Sequence, residues 1–281
     1  MPLEPSARGG GLRLFWLLPL IAGALVATGL GAVAAFAATS GGATRAGAAQ
    51  ATERAVTNRL APLRRYRRLR SGDPAPWERQ AVRSIVSVRD GGSVTMRSGP
   101  GGDALMQVGP RTEFGTRTSM AVVRRRGRWL GVSTAERPNG KLGWVDGRSD
   151  AVRRRRTRLA IHVDLSARRL ELRRAGAVIE RGTVSVGRLG STTPTGRFAV
   201  TDKLRGDRFG SYYGCCILAL SGTQPNLPPG WPGGNRLAIH GTPNPSSLGG
   251  GVSAGCVHAS VDTLEVLMRQ VPAGTPVFIR A

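Results

Sequence analysis

The chain has 281 residues, a formal net charge of +24 and an aromatic content of 5%. That length fits two domains, or one domain with a smaller module and a membrane segment. Arginine supplies nearly all the positive charge, with lysine only at Lys141 and Lys203, and such a chain is drawn to anionic lipids and wall polymers. No zinc-ligand spacing, phosphate-binding glycine loop or aromatic stacking run accompanies the charge, so neither nucleic acid, a metal ion nor a cofactor is expected.

Residues 1–13 carry Arg8 and Arg13, and no charge follows from Leu14 to Ala38. This uncharged stretch is 25 residues long, against the roughly 20 that a bilayer-spanning helix needs. A secretory apolar core is shorter, about 7–15 residues. Residues 14–38 therefore read as a transmembrane signal anchor, behind a cytoplasmic N-terminus at 1–13. The alternative is a signal peptide cleaved near Ala35-Phe36-Ala37, giving a secreted protein. Arg45 and Arg54 balance Arg8 and Arg13 across the segment, so charge alone does not orient it.

Residues 39–84 read as a linker with a short helix from about Ala48 to Ala61, ended by Pro62 and followed by a basic run from Arg64 to Arg70. Residues 85–149 read as a small β module, with short strands around Val86, Val94, Trp129 and Trp144. Turns are expected at Ser98-Gly-Pro-Gly-Gly102 and Pro138-Asn139-Gly140. Trp129 and Trp144 are expected in its core. Arg153 to Arg156 read as a basic hinge.

From residue 157 to 281 the pattern is mainly β. Leu159, Ile161 and Val163 alternate with other residues, as a strand requires, and His162 is expected to be structural. Val261 to Val271 is the one clear amphipathic helix, with Leu264, Leu267, Met268 and Val271 on one face. Cys215 and Cys216 read as small strand residues on opposite faces, a vicinal disulfide being the alternative.

His240-Gly241-Thr242 and Ser253-Ala254-Gly255-Cys256-Val257-His258 carry the chemistry. His240 ends a short apolar run, and a loop rich in Gly, Pro and Ser separates it from Cys256. A free thiol is only a few per cent ionised at neutral pH, and a neighbouring imidazole raises its reactivity by taking the proton. Cys256 is thus the candidate nucleophile and His240 its base. Gly255 permits close backbone approach, and the amides of Gly255 and Cys256 are candidate oxyanion donors. The helix begins a few residues later, so its N-terminus is expected near the thiol.

Together with Thr193-Pro-Thr-Gly-Arg-Phe198, Asp262 and Gly274-Thr-Pro-Val277, these motifs resemble the L,D-transpeptidase (YkuD-type) catalytic domain. The resemblance covers about Leu159 to Ala281. It implies a β-rich catalytic fold and cysteine acyl transfer on peptidoglycan stem peptides through a thioester, in building the cell wall. It also implies acylation by carbapenem-type β-lactams. Gly241, Ser253 and Gly255 would shape the site. Val94-x-Met-Arg-Ser-Gly-Pro100, Arg128-Trp129 and Gly143-Trp144-Val145 resemble bacterial SH3-like modules, which implies a small β-barrel ahead of the catalytic domain. Such chemistry places the C-terminal part outside the cytoplasmic membrane, in the cell envelope.

Two positions depart from the family pattern: Ala254 stands where many members have His, and His258 where many have Arg. His258, Tyr212 and Tyr213 are candidate substrate contacts. An L,D-carboxypeptidase with the same thioester and a non-catalytic wall-binding protein are the competing readings. A metal site from Cys256, His240 and His258 lacks a supporting acid.

Overall fold

The computed structural model describes residues 83–231 and 233–281. The expected membrane segment at 14–38 and the linker helix at 48–61 lie outside them. Among the described residues no helix is long and apolar enough to cross a membrane.

The first seven strands are β1 (Arg83–Val88), β2 (Val94–Arg97), β3 (Ala104–Val108), β4 (Ser119–Arg126), β5 (Trp129–Val132), β6 (Gly143–Asp146) and β7 (Val152–Thr157). They form one sheet in the order β3-β2-β6-β5-β4-β1-β7, antiparallel at every pairing. Period-two alternation sends Val86, Val88, Val94, Met96, Leu130, Val132 and Val145 into a shared core. Gly140, at φ 80°, closes the turn in which Lys141 N–H donates to Pro138 O.

The hinge expected at Arg153 to Arg156 is instead strand β7, paired along its length with β1 from Arg83↔Thr157 to Val88↔Val152. The ladder uses backbone groups only, and β7 is an edge strand, so four exposed arginines are tolerated there. Among the described residues the first sheet spans Arg83 to Thr157. Trp144 is in its core, but Trp129 is not: it is half-buried, flanked by the guanidiniums of Arg97 and Arg128 at 5.7 and 5.6 Å.

The remaining strands are β8 (Leu159–Asp164), β9 (Arg169–Arg174), β10 (Ala177–Gly187), β11 (Gly196–Arg205), β12 (Cys216–Thr223), β13 (Arg236–His240), β14 (Gly251–Ser253), β15 (Val257–Ala259) and β16 (Pro276–Arg280), with helix α1 (Val261–Gln270) before β16. Their order is β14-β10-β15-β13-β12-β11-β16-β8-β9, and β9 also pairs with β10. That second pairing closes the sheet on itself, which removes most of its open edge. Inside lie Ile161, Leu172, Val200, Leu220, Ile239 and Val277, against Leu264 and Leu267 of α1. Each fully buried leucine contributes about 1.5–3 kcal/mol of apolar transfer. Ser260 caps α1, its side chain accepting from Thr263 N–H, and Pro272 follows its end.

The two sheets touch. Ser133 Oγ hydrogen-bonds Ser221 Oγ at 2.7 Å, and Thr112 Oγ1 donates to Asp202 Oδ1 at 2.5 Å. Ile85 fills the space beside Gly274, where any added Cβ would collide with it.

Candidate active site

Cys256 and His240 meet because β13 and β15 are parallel neighbours. Their register pairs Ile239 with Val257 and His240 with His258. Side chains alternate along each strand, so His240 and His258 share a face. Cys256, one residue before β15, falls alongside Ala238 on that same face. The sixteen-residue separation in sequence is the path out along the loop, through β14, and back. One pocket is lined by both His240 and Cys256, with Tyr212, Tyr213, Trp231 and Ala254 among its walls.

His240 is fully buried. Its Nδ1 lies 2.7 Å from Gly241 O. A carbonyl only accepts, so Nδ1 carries the proton and Nε2 the lone pair. Nε2 has no hydrogen-bond partner. Burial first, and the charge of His258 second, lower the imidazole pKa to about 3. The ring is therefore neutral at ordinary pH, with its Nε2 lone pair unprotonated.

Cys256 is half-buried and is the free cysteine. Its Sγ–H donates to Arg236 O at 3.9 Å. Burial pushes the thiol up to about 11, partly offset by the Ala238 backbone hydrogen bond. Both shifts favour the uncharged forms, thiol and imidazole.

The turn before the thiol is tightly made. Ser253 Oγ accepts Gly255 N–H at 3.0 Å and donates to Cys256 O at 2.6 Å. This corrects the expectation that Gly255 donates to an oxyanion, because its amide is already engaged. Gly241 N–H is likewise held by Tyr213 O at 2.9 Å. These hydrogen bonds hold the backbone beside Cys256 and His240. Gly241 packs so closely on Gly214 and Tyr213 O that an added Cβ would lie 2.9 Å from each. The expected helix N-terminus is also absent from the thiol: strand β15 intervenes, its three residues spanning about 10 Å.

Residues 158–279 match the model of the YkuD family, the L,D-transpeptidase catalytic domain. The "Putative L,D-transpeptidase YkuD" of Bacillus subtilis (strain 168) is 33% identical over 121 residues, and that of Bacillus licheniformis is 34% identical over 122. Each match covers 42% of this chain and 64% of the relative. Among solved structures, L,D-transpeptidase 3 from Mycobacterium tuberculosis with a faropenem-derived adduct is 16% identical, with a TM-score of 0.37. That match covers 50% of this chain and 73% of the other. The catalytic domain of the E. faecium L,D-transpeptidase is 22% identical, with a TM-score of 0.33, over 43% of this chain and 96% of its own.

Within the matched segment, Tyr212 and Tyr213 form an aromatic wall. Their rings lie 5.5 and 5.0 Å from the His240 ring. Burial, and then the charge of a Cys256 thiolate, raise both phenols. Ala254 is on the pocket wall, so the first departure from the family pattern does alter the site's surface. His258 is placed differently from expectation. It is buried, its ring lies tilted with its centroid 4.6 Å from that of His240, and it does not line the pocket. Burial lowers its pKa, which disfavours the cation that a substrate carboxylate would need.

Cys215 and Cys216 are joined in a vicinal disulfide, against the expectation of two separate thiols. Only Cys216 enters strand β12; Cys215 belongs to the turn after Tyr213. His162 is structural as expected, its ring 5.0 Å from Phe278.

Gln224 escaped the sequence reading. It is buried at the end of β12, and its amide nitrogen donates to Ser191 O, Thr192 O and Ala254 O at 3.1–3.2 Å. It thereby ties the loop ahead of the Thr193 motif to the cysteine turn. Gly255, at φ +123°, presents a Cβ-free surface to that amide. A glutamine at a strand end carries no periodic signal that would have found it.

Proposed function

We propose that the matched segment is a peptidoglycan L,D-transpeptidase acting through a Cys256 thioester. The observation that carries this reading is the pocket shared by Cys256 and a His240 whose Nδ1–H is fixed on Gly241 O, leaving Nε2 as the base. Cys256 sulfur attacks the carbonyl carbon of an L-to-D stem-peptide bond as its proton passes to His240 Nε2. The C–N bond breaks, and the departing amine takes that proton. An amine of a second stem then attacks the thioester carbonyl, giving its proton to Nε2 as the C–S bond breaks. The proton returns to sulfur, and the new amide is the cross-link. Tyr212 and Tyr213 bound the donor peptide. Carbapenem-type β-lactams acylate the same sulfur; the faropenem-derived adduct of the mycobacterial structure is the parallel.

The apolar stretch at 14–38 anchors the domain outside the cytoplasmic membrane, and residues 83–157, read as an SH3-like module, help hold it to the wall. Intact mass decides the chemistry. Residues 40–281 are incubated with a tetrapeptide-stem muropeptide and with a carbapenem. A covalent adduct absent from Cys256→Ala, with dimeric muropeptide as product, is expected. An adduct that survives Cys256→Ala overturns the nucleophile assignment, and tripeptide as sole product makes the protein a carboxypeptidase.

A further inference from the structure

The end of the β12–β13 pairing is the support of the nucleophile, and the N-terminal module holds it from both sides. Thr223 pairs with Arg236 in the register of these strands. On the β12 side, Asn139 makes two hydrogen bonds to Thr223. Its Nδ2 donates to Thr223 O at 2.6 Å, and Thr223 N–H donates to its Oδ1 at 2.9 Å. The next residue, Gln224, grips Ala254 O and receives Gly255 against its amide. On the β13 side, the Glu113 carboxylate pairs with the Arg236 guanidinium. The backbone oxygen of that same Arg236 accepts the Cys256 Sγ–H.

Both contacts come from stiff turns. Asn139 sits between Pro138 and Gly140 in the turn closed by Lys141 N–H. Glu113 follows Thr112, which is pinned to Asp202 and accepts Gly115 N–H through its carbonyl. Two short routes therefore run from the module to the thiol: Asn139, Thr223, Gln224 to the cysteine turn, and Glu113, Arg236 to the sulfur. Neither residue touches the pocket.

We propose that Glu113 and Asn139 are positioning residues, through which the N-terminal module sets the placement of Cys256. The proposal rests on Cys256 as the nucleophile but not on the identity of its substrate. Release of either contact lets the strand ends and the cysteine turn shift. The thiol gains water and loses its aim.

The test uses the full chain and the variants Glu113→Gln, Asn139→Ala and the pair combined. Arg117→Ala, which removes an exposed ion pair with Asp90 in the same module, is the control. Two readouts are taken by intact mass: the pH midpoint of iodoacetamide alkylation at Cys256, and the second-order rate of acylation by a carbapenem. In the combined variant the alkylation midpoint is expected to fall by about one pH unit as the sulfur is hydrated. Acylation is expected to fall about tenfold or more, as misplacement of a reacting group does. Glu113→Asp, which keeps the carboxylate, should recover part of the loss. The single variants carry the test if the combined one does not fold. A folded combined variant with wild-type midpoint and wild-type acylation overturns the proposal, as does a control that shifts equally. If wild-type protein resists the carbapenem yet the alkylation midpoint still moves, positioning stands and the acyl-transfer reading falls.

Discussion

The imidazoles of His240 and His258 pack tilted by 50° with centroids 4.6 Å apart, on adjacent parallel strands in direct register. Neither nitrogen of His258 has a hydrogen-bond partner. The second ring thus acts on the first by packing and by charge. His258→Phe keeps the packing and removes the charge. Burial is the larger cause of the low His240 pKa, so its midpoint should rise from about 3 yet stay well below 6.5. NMR titration of the imidazole carbon-bound protons measures it; an unmoved midpoint refutes the coupling.

Acid should destabilise the fold through its buried histidines. His162 is held at about 3, by burial first and then by Arg173. Its unfolded value is about 6.5, so between these limits the unfolded chain binds more protons. The stability is present above about 6.5 and is lost as pH falls toward 3. His162→Phe should reduce the proton uptake on unfolding by about one in this window. Urea unfolding at pH 7 and 4.5 supplies the comparison, and an unchanged slope of stability against pH contradicts it.

Gln224 and Gly255 should be non-additive. Gln224→Ala removes a donor shared by three carbonyls and should cost about 1–3 kcal/mol. Gly255→Ala should cost more, because its Cβ meets the Gln224 amide at a φ of +123°. Combining them removes the collision and leaves the backbone strain. The double variant should therefore be more stable than Gly255→Ala alone. Denaturant midpoints that simply add would show that the two residues do not share this contact.

Thiol counting checks the cysteine chemistry. Denatured, unreduced protein should give one reactive thiol per chain with Ellman's reagent, and Cys256→Ala should give none. Three thiols would mean that Cys215 and Cys216 are unpaired.

What could be read beforehand was what repeats or clusters in sequence. The alternation at Leu159, Ile161 and Val163 and the spacing of Leu264 and Leu267 each report one face of one element. His240 and Cys256 stood out because glycine-rich neighbours and ordered motifs surround them. Features that depend on strand partners or on the exact geometry of a turn were not legible. Four successive arginines suggested a hinge because composition does not reveal that β1 supplies a ladder partner. The engagement of Gly255 N–H by Ser253 needed the turn itself. His258 read as a candidate substrate contact, yet strand pairing sets its ring against that of His240. Gln224 and Arg236 matter through backbone oxygens and amides that no residue pattern marks.

Among the described residues, strand β7 ends the first sheet in a row of backbone donors and acceptors with no further strand beside it, beneath Arg153, Arg154, Arg155 and Arg156. Such a margin would ordinarily recruit a strand from another molecule. A second copy approaching it would bring the same four positive charges into opposition, and like charges placed across a strand pair repel. The arginines therefore work as a guard rail: two copies crowded together are discouraged from joining edge to edge, while a polyanion is free to lie along that side.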